Sequence, residues 1–200
     1  MPSEITQQRS GNWSPELTAE EHGILFHIAE DTLVWLVSGA GGAFKFGDYG
    51  ITPGLEQNYA TFVTLRQRGD LRGCIGCLEP KEALYLSVHR NTQRAARDDA
   101  RFDPVAVEEV SRIEVDISIL GRQQPIESVD AFNVGQHGIV IHKEDRSAVY
   151  LPQVASEQGW TREATLESLC HKAGLPADAW RENATMTIFE SVSLHRAGPS

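Results

Sequence analysis

Hydrophobic residues recur along this chain at two spacings, one typical of helices and the other typical of strands. Apolar residues three and four positions apart between Leu25 and Leu36 would share one face of a helix. Strict alternation of apolar and polar residues over 113–119 is the pattern of a half-buried strand. The same criteria predict helices over residues 18–38, 80–98 and 161–173, and strands over 59–66, 71–78, 113–119, 138–142, 148–151 and 186–194.

Local signals predict where these elements begin and end. Thr18 and Glu21 have the spacing of a helix capping box. The glycine-rich residues 39–58 would end that helix and form a long ordered loop, and Pro80 is expected in the first turn of the next helix. We expect the strand over 113–119 to bury its apolar face and to expose its polar face to water.

Hairpins and isolated helices, without a regular alternation of strand and helix, predict an α+β fold with a mostly antiparallel sheet flanked by helices. The polar residues 1–14 are expected to form a flexible N-terminal tail. Residues 15–196 would form a single domain, and residues 197–200 would form a C-terminal tail.

Composition narrows the class of protein. Acidic residues outnumber basic ones by ten among 200 residues, which argues against nucleic acid or an anionic membrane as a partner, although arginines 90, 94, 97 and 101 form a local basic patch. The first 14 residues lack a signal-peptide pattern, and no apolar stretch approaches the ~20 residues of a membrane helix. Three cysteines, an odd number, disfavour a disulfide framework. We therefore expect a reduced, cytoplasmic protein.

The segment Leu71-Arg72-Gly73-Cys74-Ile75-Gly76 has the character of a site. Glycines inside a strand indicate close approach by a ligand or by another backbone, which makes Gly73 and Gly76 candidate binding residues. Arg72 beside the thiol would favour the thiolate, so Cys74 is a candidate nucleophile; the alternative is a small buried cysteine that behaves as a compact hydrophobe. A nucleophile also needs a base, for which His137, His89 and His142 are available.

Cys74 and Cys77 have the spacing of a redox or metal pair. No second pair at a suitable spacing exists, and the two cysteines do not begin a helix after a strand. We therefore expect neither a metal nor a cofactor, and we interpret Cys77 as a structural or incidental thiol.

Three further residues have both a functional and a structural interpretation. Arg101 could anchor a carboxylate or phosphate, or it could pair with Asp99 or Asp103 and fix its loop. His137 could place an imidazole at a cleft rim or form a hydrogen bond in a turn. The amide of Gln153 could contact a polar ligand or cap the next helix.

The LRGCIG motif resembles the signature of the AMMECR family, whose prokaryotic members are called AmmeMemoRadiSam system protein A. The resemblance covers roughly residues 18–195. The chain departs from the family pattern at two places. Cys77 stands where threonine or another small residue is usual, and Ser147-Ala148 stands where glycine is common. Further matching segments are Ala95-Ala96, Asp99-Ala100-Arg101-Phe102, Val134-Gly135-Gln136-His137-Gly138-Ile139, Tyr150-Leu151-Pro152-Gln153-Val154-Ala155, Gly159-Trp160 and Lys172-Ala173-Gly174-Leu175.

The resemblance implies a larger and a smaller subdomain with a cleft between them that the LRGCIG hairpin lines. It also implies two partners, a Memo-like protein and a radical-SAM protein, but no defined reaction. Our leading hypothesis is a binding or adaptor component with ligand-binding residues Arg72, Gly73, Gly76, Asp99, Arg101 and Gln153. The alternative is an enzyme that uses Cys74 as nucleophile or thiol ligand, with Arg72 and Arg101 binding a small anionic substrate and His137 as base.

Overall fold

The chain folds into two compact units, each built on an antiparallel sheet. The structure, a computed structural model, describes residues 4–39 and 42–196. The first unit contains residues 15–120 and the described residues near both chain ends, and the second contains residues 9–14 and 121–192. Mixed helices and antiparallel sheets confirm the α+β class predicted from the sequence.

Nine strands, four α-helices and three short 3-10 helices are present in the described residues. The first sheet has the strand order β1-β9-β4-β2-β3, and the second has the order β5-β8-β6-β7. In chain order the elements are β1 (Ile5–Arg9), α1 (Ala19–Val37), β2 (Ala60–Gln67), β3 (Asp70–Gly76), α2 (Leu84–Arg97), β4 (Ile113–Leu120), β5 (Gln124–Ile126), β6 (Gly138–Lys143), β7 (Arg146–Tyr150), α3 (Pro152–Glu157), α4 (Arg162–Lys172), β8 (Thr185–Phe189) and β9 (Ser191–Arg196).

Helix α1 begins at the predicted capping box. The Glu21 N–H donates to Thr18 Oγ1 at 3.2 Å, and the Thr18 N–H donates to Glu21 Oε2 at 2.7 Å. The other Glu21 oxygen accepts a hydrogen bond from Thr52, in the described part of the expected loop. The capping residue therefore also ties this loop to the start of the helix.

The LRGCIG motif lies on the hairpin of β2 and β3, as predicted, and β3 is an edge strand of the first sheet. Arg68 and Gly69 form its turn with φ values of 57° and 83°, a pair of positive angles that suits a two-residue hairpin. The register sets Thr64 opposite Cys74. Leu65 and Val63, on the other face of β2, are fully buried in the core of the first unit.

Helix α2 begins at Leu84, so the prediction that Pro80 lies in its first turn is wrong. The Leu84 N–H donates to the Gln57 carbonyl at 2.8 Å, and Ala83 forms a β-bridge with Asn58. These loop contacts hold the residues before Leu84 in an extended conformation. The buried residues of this helix include Leu84, Val88, Asn91 and Ala95.

Two predictions near the chain ends need correction, one of a flexible tail and one of a continuous strand. The expected flexible tail contains β1, whose residues are exposed apart from the half-buried Ile5, so no hydrophobic alternation signalled it. The strand predicted over 186–194 is interrupted at Glu190, whose carbonyl accepts the Gly121 N–H at 2.8 Å, and β8 and β9 join different sheets. The tail expected over 197–200 lies outside the described residues.

The polar face of β4 is less solvated than expected. Ser118 is only 3% exposed and shares a 3.0 Å hydrogen bond with Ser193 of β9. Asp116, on the same face, forms an ion pair with Arg66 of β2 and a hydrogen bond with His195 of β9. Pairing between polar groups thus replaces hydration along this strand.

In the second unit, β6 and helix α4 build the core, with Ile139, Ile141, Leu166, Leu169 and Cys170 all fully buried. Helix α4 lies within the predicted range 161–173; it is capped by Thr161 and followed by Gly174 at φ 72°. The short helix α3 was not predicted. None of the described helices in either unit combines the length and apolar character needed to cross a membrane.

Candidate functional site

The glycines of the LRGCIG motif allow close packing against neighbouring atoms of the protein itself. A Cβ at Gly73 would lie 2.2 Å from the Ala95 carbonyl oxygen of α2. A Cβ at Gly76 would lie 2.4 Å from the Thr61 carbonyl oxygen and 2.3 Å from the Phe62 ring. The approaching partner at Gly73 is therefore the backbone of a helix, which accounts for the glycine without a ligand.

Cys74 is half-buried, and its backbone and its thiol have different partners. Its N–H donates to Asp99 Oδ2 at 2.8 Å. Its Sγ accepts a hydrogen bond from Thr64 Oγ1 at 3.3 Å. Asp99 thus fixes the strand backbone, whereas the sulfur remains on the face that Thr64 shares.

Arg101 is held by Asp99, one of the two pairings that the sequence left open. Its Nε and Nη2 lie 2.9 and 2.7 Å from the two Asp99 oxygens. These hydrogen bonds lower the pKa of Asp99 to about 2, against the opposing effect of burial. The Asp99 side chain is 6% exposed and that of Arg101 is 57% exposed, so the pair presents its cationic side to solvent.

Arg72 forms a second two-point ion pair, with Glu109. Its Nε and Nη2 lie 2.7 and 2.9 Å from the two carboxylate oxygens, and this contact lowers the pKa of Glu109 to about 2. The guanidinium groups of Arg72 and Arg101 lie 5.8 and 5.5 Å from the centre of the Phe102 ring, within cation–π range. Both expected anion anchors therefore already hold a carboxylate of this chain.

A row of polar side chains crosses the first sheet from Cys74 towards β9. Thr64 lies opposite Cys74 on one side and opposite Asp116 of β4 on the other. Asp116 pairs with His195 Nδ1 at 2.9 Å and accepts from Arg66 Nε at 3.0 Å. Burial would raise the pKa of Asp116, but these two partners outweigh it and lower the pKa.

Sequence reasoning missed Asp116 and His195 as members of this row. The alternation over 113–119 placed Asp116 on the polar face of its strand, which was the available signal. The strand register that brings Asp116 beside Thr64 and His195 depends on residues far apart in the chain.

Cys74 and Cys77 do not share surroundings. The sulfur of Cys77 lies 3.6 Å from Ser87 Oγ and 3.7 Å from Asn91 Nδ2, both on α2, whereas the sulfur of Cys74 contacts Thr64. Both cysteines are free thiols. Among the described residues, no group of three or more His, Cys, Asp or Glu side chains is arranged to hold a metal ion.

His137 belongs to the second unit, whereas Cys74 belongs to the first. Its Nδ1 accepts the Asn133 N–H at 3.1 Å, so the proton of the neutral ring is on Nε2. This tautomer does not favour His137 as a general base, because its basic nitrogen is already occupied.

The other two histidines that were considered as bases are His89, on α2 of the first unit, and His142, on β6 of the second unit. His89 packs 4.4 Å from the Phe44 ring centre and is hydrogen bonded at both nitrogens, to Thr32 Oγ1 at 2.7 Å and to Gln93 Nε2 at 2.8 Å. Burial lowers its pKa to about 4. His142 is an exposed residue of β6 in the second unit.

Gln153 occupies the first turn of α3 in the second unit and is half-buried. It does not cap the next helix, because Thr161 caps α4 by accepting the Ala164 N–H at 3.2 Å. The structure thus brings together Arg72, Gly73, Cys74, Asp99 and Arg101, and it places His137 and Gln153 in the other unit.

These features define a class of α+β protein with two antiparallel sheets and a glycine-flanked cysteine on an edge strand. The AMMECR1 family model matches residues 42–194. The chain therefore belongs to the AMMECR1 family.

Proteins from archaea align with most of this chain. A protein of Methanothermobacter thermautotrophicus is 36% identical over 150 residues, which cover 72% of this chain and 78% of that protein. Protein MK0488 of Methanopyrus kandleri is 35% identical over 195 residues, which cover 92% of each chain. The crystal structure of uncharacterized protein PH0010 from Pyrococcus horikoshii has a TM-score of 0.80 and 29% identity, covering 90% of this chain and 98% of that one.

Proposed function

We propose that this protein is a binding or adaptor component that acts with a Memo-like protein and a radical-SAM protein, as the AmmeMemoRadiSam system name implies. The docking surface would be the edge of the first unit formed by β3 and the residues that follow α2. The partners come from the family resemblance, and the support for a binding role comes from the geometry around Cys74.

The single observation that carries the proposal is that the polar groups of the motif are already engaged within the protein. Arg72 and Arg101 each hold a carboxylate at two points, and the Cys74 N–H is bound to Asp99. General acid–base chemistry needs a titratable group within hydrogen-bond reach of the reacting atom. The Cys74 sulfur accepts a hydrogen bond from the Thr64 hydroxyl, which serves as neither acid nor base near neutral pH.

The groups that remain available at this edge suit recognition of another protein. Leu71 is an exposed large hydrophobic residue, 37% accessible, directly before Arg72. The Arg101 side chain is 57% exposed and lies over the half-buried Phe102 ring. An apolar residue beside an arginine stacked on an aromatic ring is typical of the centres of protein interfaces.

We also propose a cytoplasmic location. Cys74, Cys77 and Cys170 are all free thiols, and disulfides are rare in the reducing cytoplasm. Fractionation of cells that express the full chain, with detection by a specific antibody, tests this location.

The runner-up is an enzyme that uses Cys74 as nucleophile or thiol ligand on a small anionic substrate. The contact that favours it is the hydrogen bond from Thr64 Oγ1 to Cys74 Sγ, since it orients the sulfur of a residue that is only half-buried. In this case an anionic substrate would have to displace Asp99 or Glu109 from its arginine.

The test is to mix the purified full chain with purified Memo-like and radical-SAM proteins from the same organism and to measure binding by calorimetry. We expect a complex with at least one partner, and Leu71→Gln should weaken it by roughly tenfold or more. Val34→Gln, at a residue 53% exposed on α1, is the matched control and should leave affinity unchanged. No complex with either partner would refute the adaptor proposal.

Cys74→Ser separates the two candidate functions. An adaptor should keep its affinity for the partner, because the exposed groups of the docking edge are unchanged. The enzyme alternative predicts that the mixture of three proteins consumes a small anionic substrate. If Cys74→Ser abolishes this reaction while the complex still forms, the enzyme alternative replaces the adaptor proposal.

A further inference from the structure

The second unit contains a small cavity that is separate from the LRGCIG motif. It has a volume of about 180 Å³ and combines an apolar wall with charged and polar side chains. Its lining residues are Trp13, Arg122, Gln124, His137, Ile188 and Glu190. Small-molecule sites are concave and combine an apolar wall with a few convergent polar groups, and this cavity shares that character at a smaller volume.

Glu190 is held in place as a carboxylate. Its Oε2 accepts the Trp13 N–H at 2.7 Å, and its Oε1 accepts from Gln136 Nε2 at 3.1 Å. The hydrogen bond from Gln136, followed by the one from Trp13, lowers the pKa of Glu190 despite burial. The cavity thus contains a fixed negative charge near neutral pH.

Residues 10–13 lie against the Glu190 carboxylate. Ser10 and Ser191 exchange two hydrogen bonds, at 3.0 and 2.8 Å, which anchor the segment. A Cβ at Gly11 would lie 2.1 Å from Glu190 Oε1, so only glycine fits there without movement of the carboxylate. Trp13 is thereby positioned as one wall of the cavity.

Arg122 supplies a positive charge opposite to that of Glu190, and His137 and Gln124 supply two neutral hydrogen-bond donors. Arg122, just before β5, is exposed, and its guanidinium provides a positive charge at the cavity. His137 offers Nε2–H, since its Nδ1 is occupied by the Asn133 N–H. Gln124 adds an amide, so a carboxylate in the cavity would meet up to three donors.

We propose that this cavity binds a small zwitterion of the α-amino acid type. Its carboxylate is bound by Arg122 and His137 Nε2–H, its ammonium group lies towards Glu190, and its short side chain packs against Trp13 and Ile188. A simple carboxylic acid would leave the charge of Glu190 unpaired, and a simple amine would leave that of Arg122 unpaired. The volume limits the ligand to a small side chain. This site is independent of the adaptor function.

The test titrates the full chain with alanine, propionate and ethylamine and follows the His137 imidazole and Trp13 indole signals by NMR. We expect saturable shifts with alanine, and binding roughly tenfold weaker or worse for propionate and ethylamine, each of which lacks one charge. Equal affinities for the three probes, or no saturable shift with alanine, would overturn the proposal.

Two variants complete this test. Arg122→Ala should reduce alanine affinity roughly tenfold or more, since it removes the charged partner of the carboxylate. Arg181→Ala changes another exposed arginine of the same unit that does not line the cavity, and it should leave the affinity unchanged. Loss of affinity in both variants, or in neither, would contradict the assignment of the carboxylate site.

Discussion

Asp99 accepts the backbone N–H of Cys74 at 2.8 Å while its two oxygens also hold the guanidinium of Arg101. One carboxylate thus fixes both the edge strand that carries the cysteine and the loop that follows α2. Because Asp99 is 6% exposed, neither contact is readily replaced by water.

Asp99→Asn should lower the free energy of unfolding by roughly 1–3 kcal/mol at neutral pH, because it weakens charged hydrogen bonds. The pKa of Asp99 is about 2 in the folded protein and near 3.8 in the unfolded chain. The contribution of Asp99 is therefore complete above about pH 4 and is lost as pH falls towards 2. Urea unfolding across this range should show the two proteins converging in stability; a constant difference down to pH 2 would contradict the assignment.

Gly73→Ala should destabilise the first unit by roughly 1–3 kcal/mol or more, because its Cβ would meet the Ala95 carbonyl at 2.2 Å. Gly47→Ala is the matched control, since a Cβ there would have no neighbour within 4 Å. Thermal unfolding followed by circular dichroism compares the two variants. Equal transition temperatures would show that α2 does not pack against β3 at this distance.

Gly23→Ala should have the opposite effect on stability from Gly73→Ala. Gly23 lies inside helix α1, and a Cβ there would also have no neighbour within 4 Å. Alanine should therefore raise the free energy of unfolding by roughly 0.5–1 kcal/mol, through its higher helix propensity. A decrease in denaturation midpoint would mean that this part of α1 has a tighter environment than described.

The thiols of Cys74 and Cys170 should differ in accessibility to an alkylating reagent. Cys170 is fully buried in the second unit, and burial raises its pKa, so it should stay unmodified until the protein unfolds. Cys74 is half-buried and should be labelled in the folded state. Peptide mass spectrometry after timed labelling distinguishes them; modification of Cys170 before Cys74 would contradict the described burial.

His89 should remain neutral well below the usual range of histidine. Thr32 Oγ1 donates to the Ile28 carbonyl, so it accepts from His89 Nδ1–H, and Gln93 can then donate to Nε2. Its folded pKa of about 4 lies below the unfolded value of 6.5, so stability is highest above pH 6.5 and decreases as pH falls towards 4. NMR titration of the His89 ring should give a midpoint near 4, and a midpoint near 6.5 would refute the burial.

Much of the fold was predictable because its signals are local. The capping box of Thr18 and Glu21 and the alternation over residues 113–119 each depend on residues that are close together in the chain. Strand β1 escaped prediction because it lies at a sheet edge with little apolar content, so its position depends on pairing instead of burial.

The site was less predictable, since its contacts join distant residues. Sequence indicated that something approaches Gly73 closely, but a helix backbone and a ligand produce the same signal. The partner of Arg72 is Glu109, which only the folded chain brings near. Asp99 and Arg101, two residues apart, could be paired in advance, and they are paired.

The interruption at Glu190 has a consequence for how this protein can vary. Strands β4 and β9 are neighbours in the first sheet, and the 3.0 Å hydrogen bond between Ser118 and Ser193 aligns them. After β4 the chain passes into the second unit, and it rejoins the first sheet in β9, the strand next to β4. Insertions or deletions in the loops between these two strands can therefore occur without a change of strand register in the first sheet.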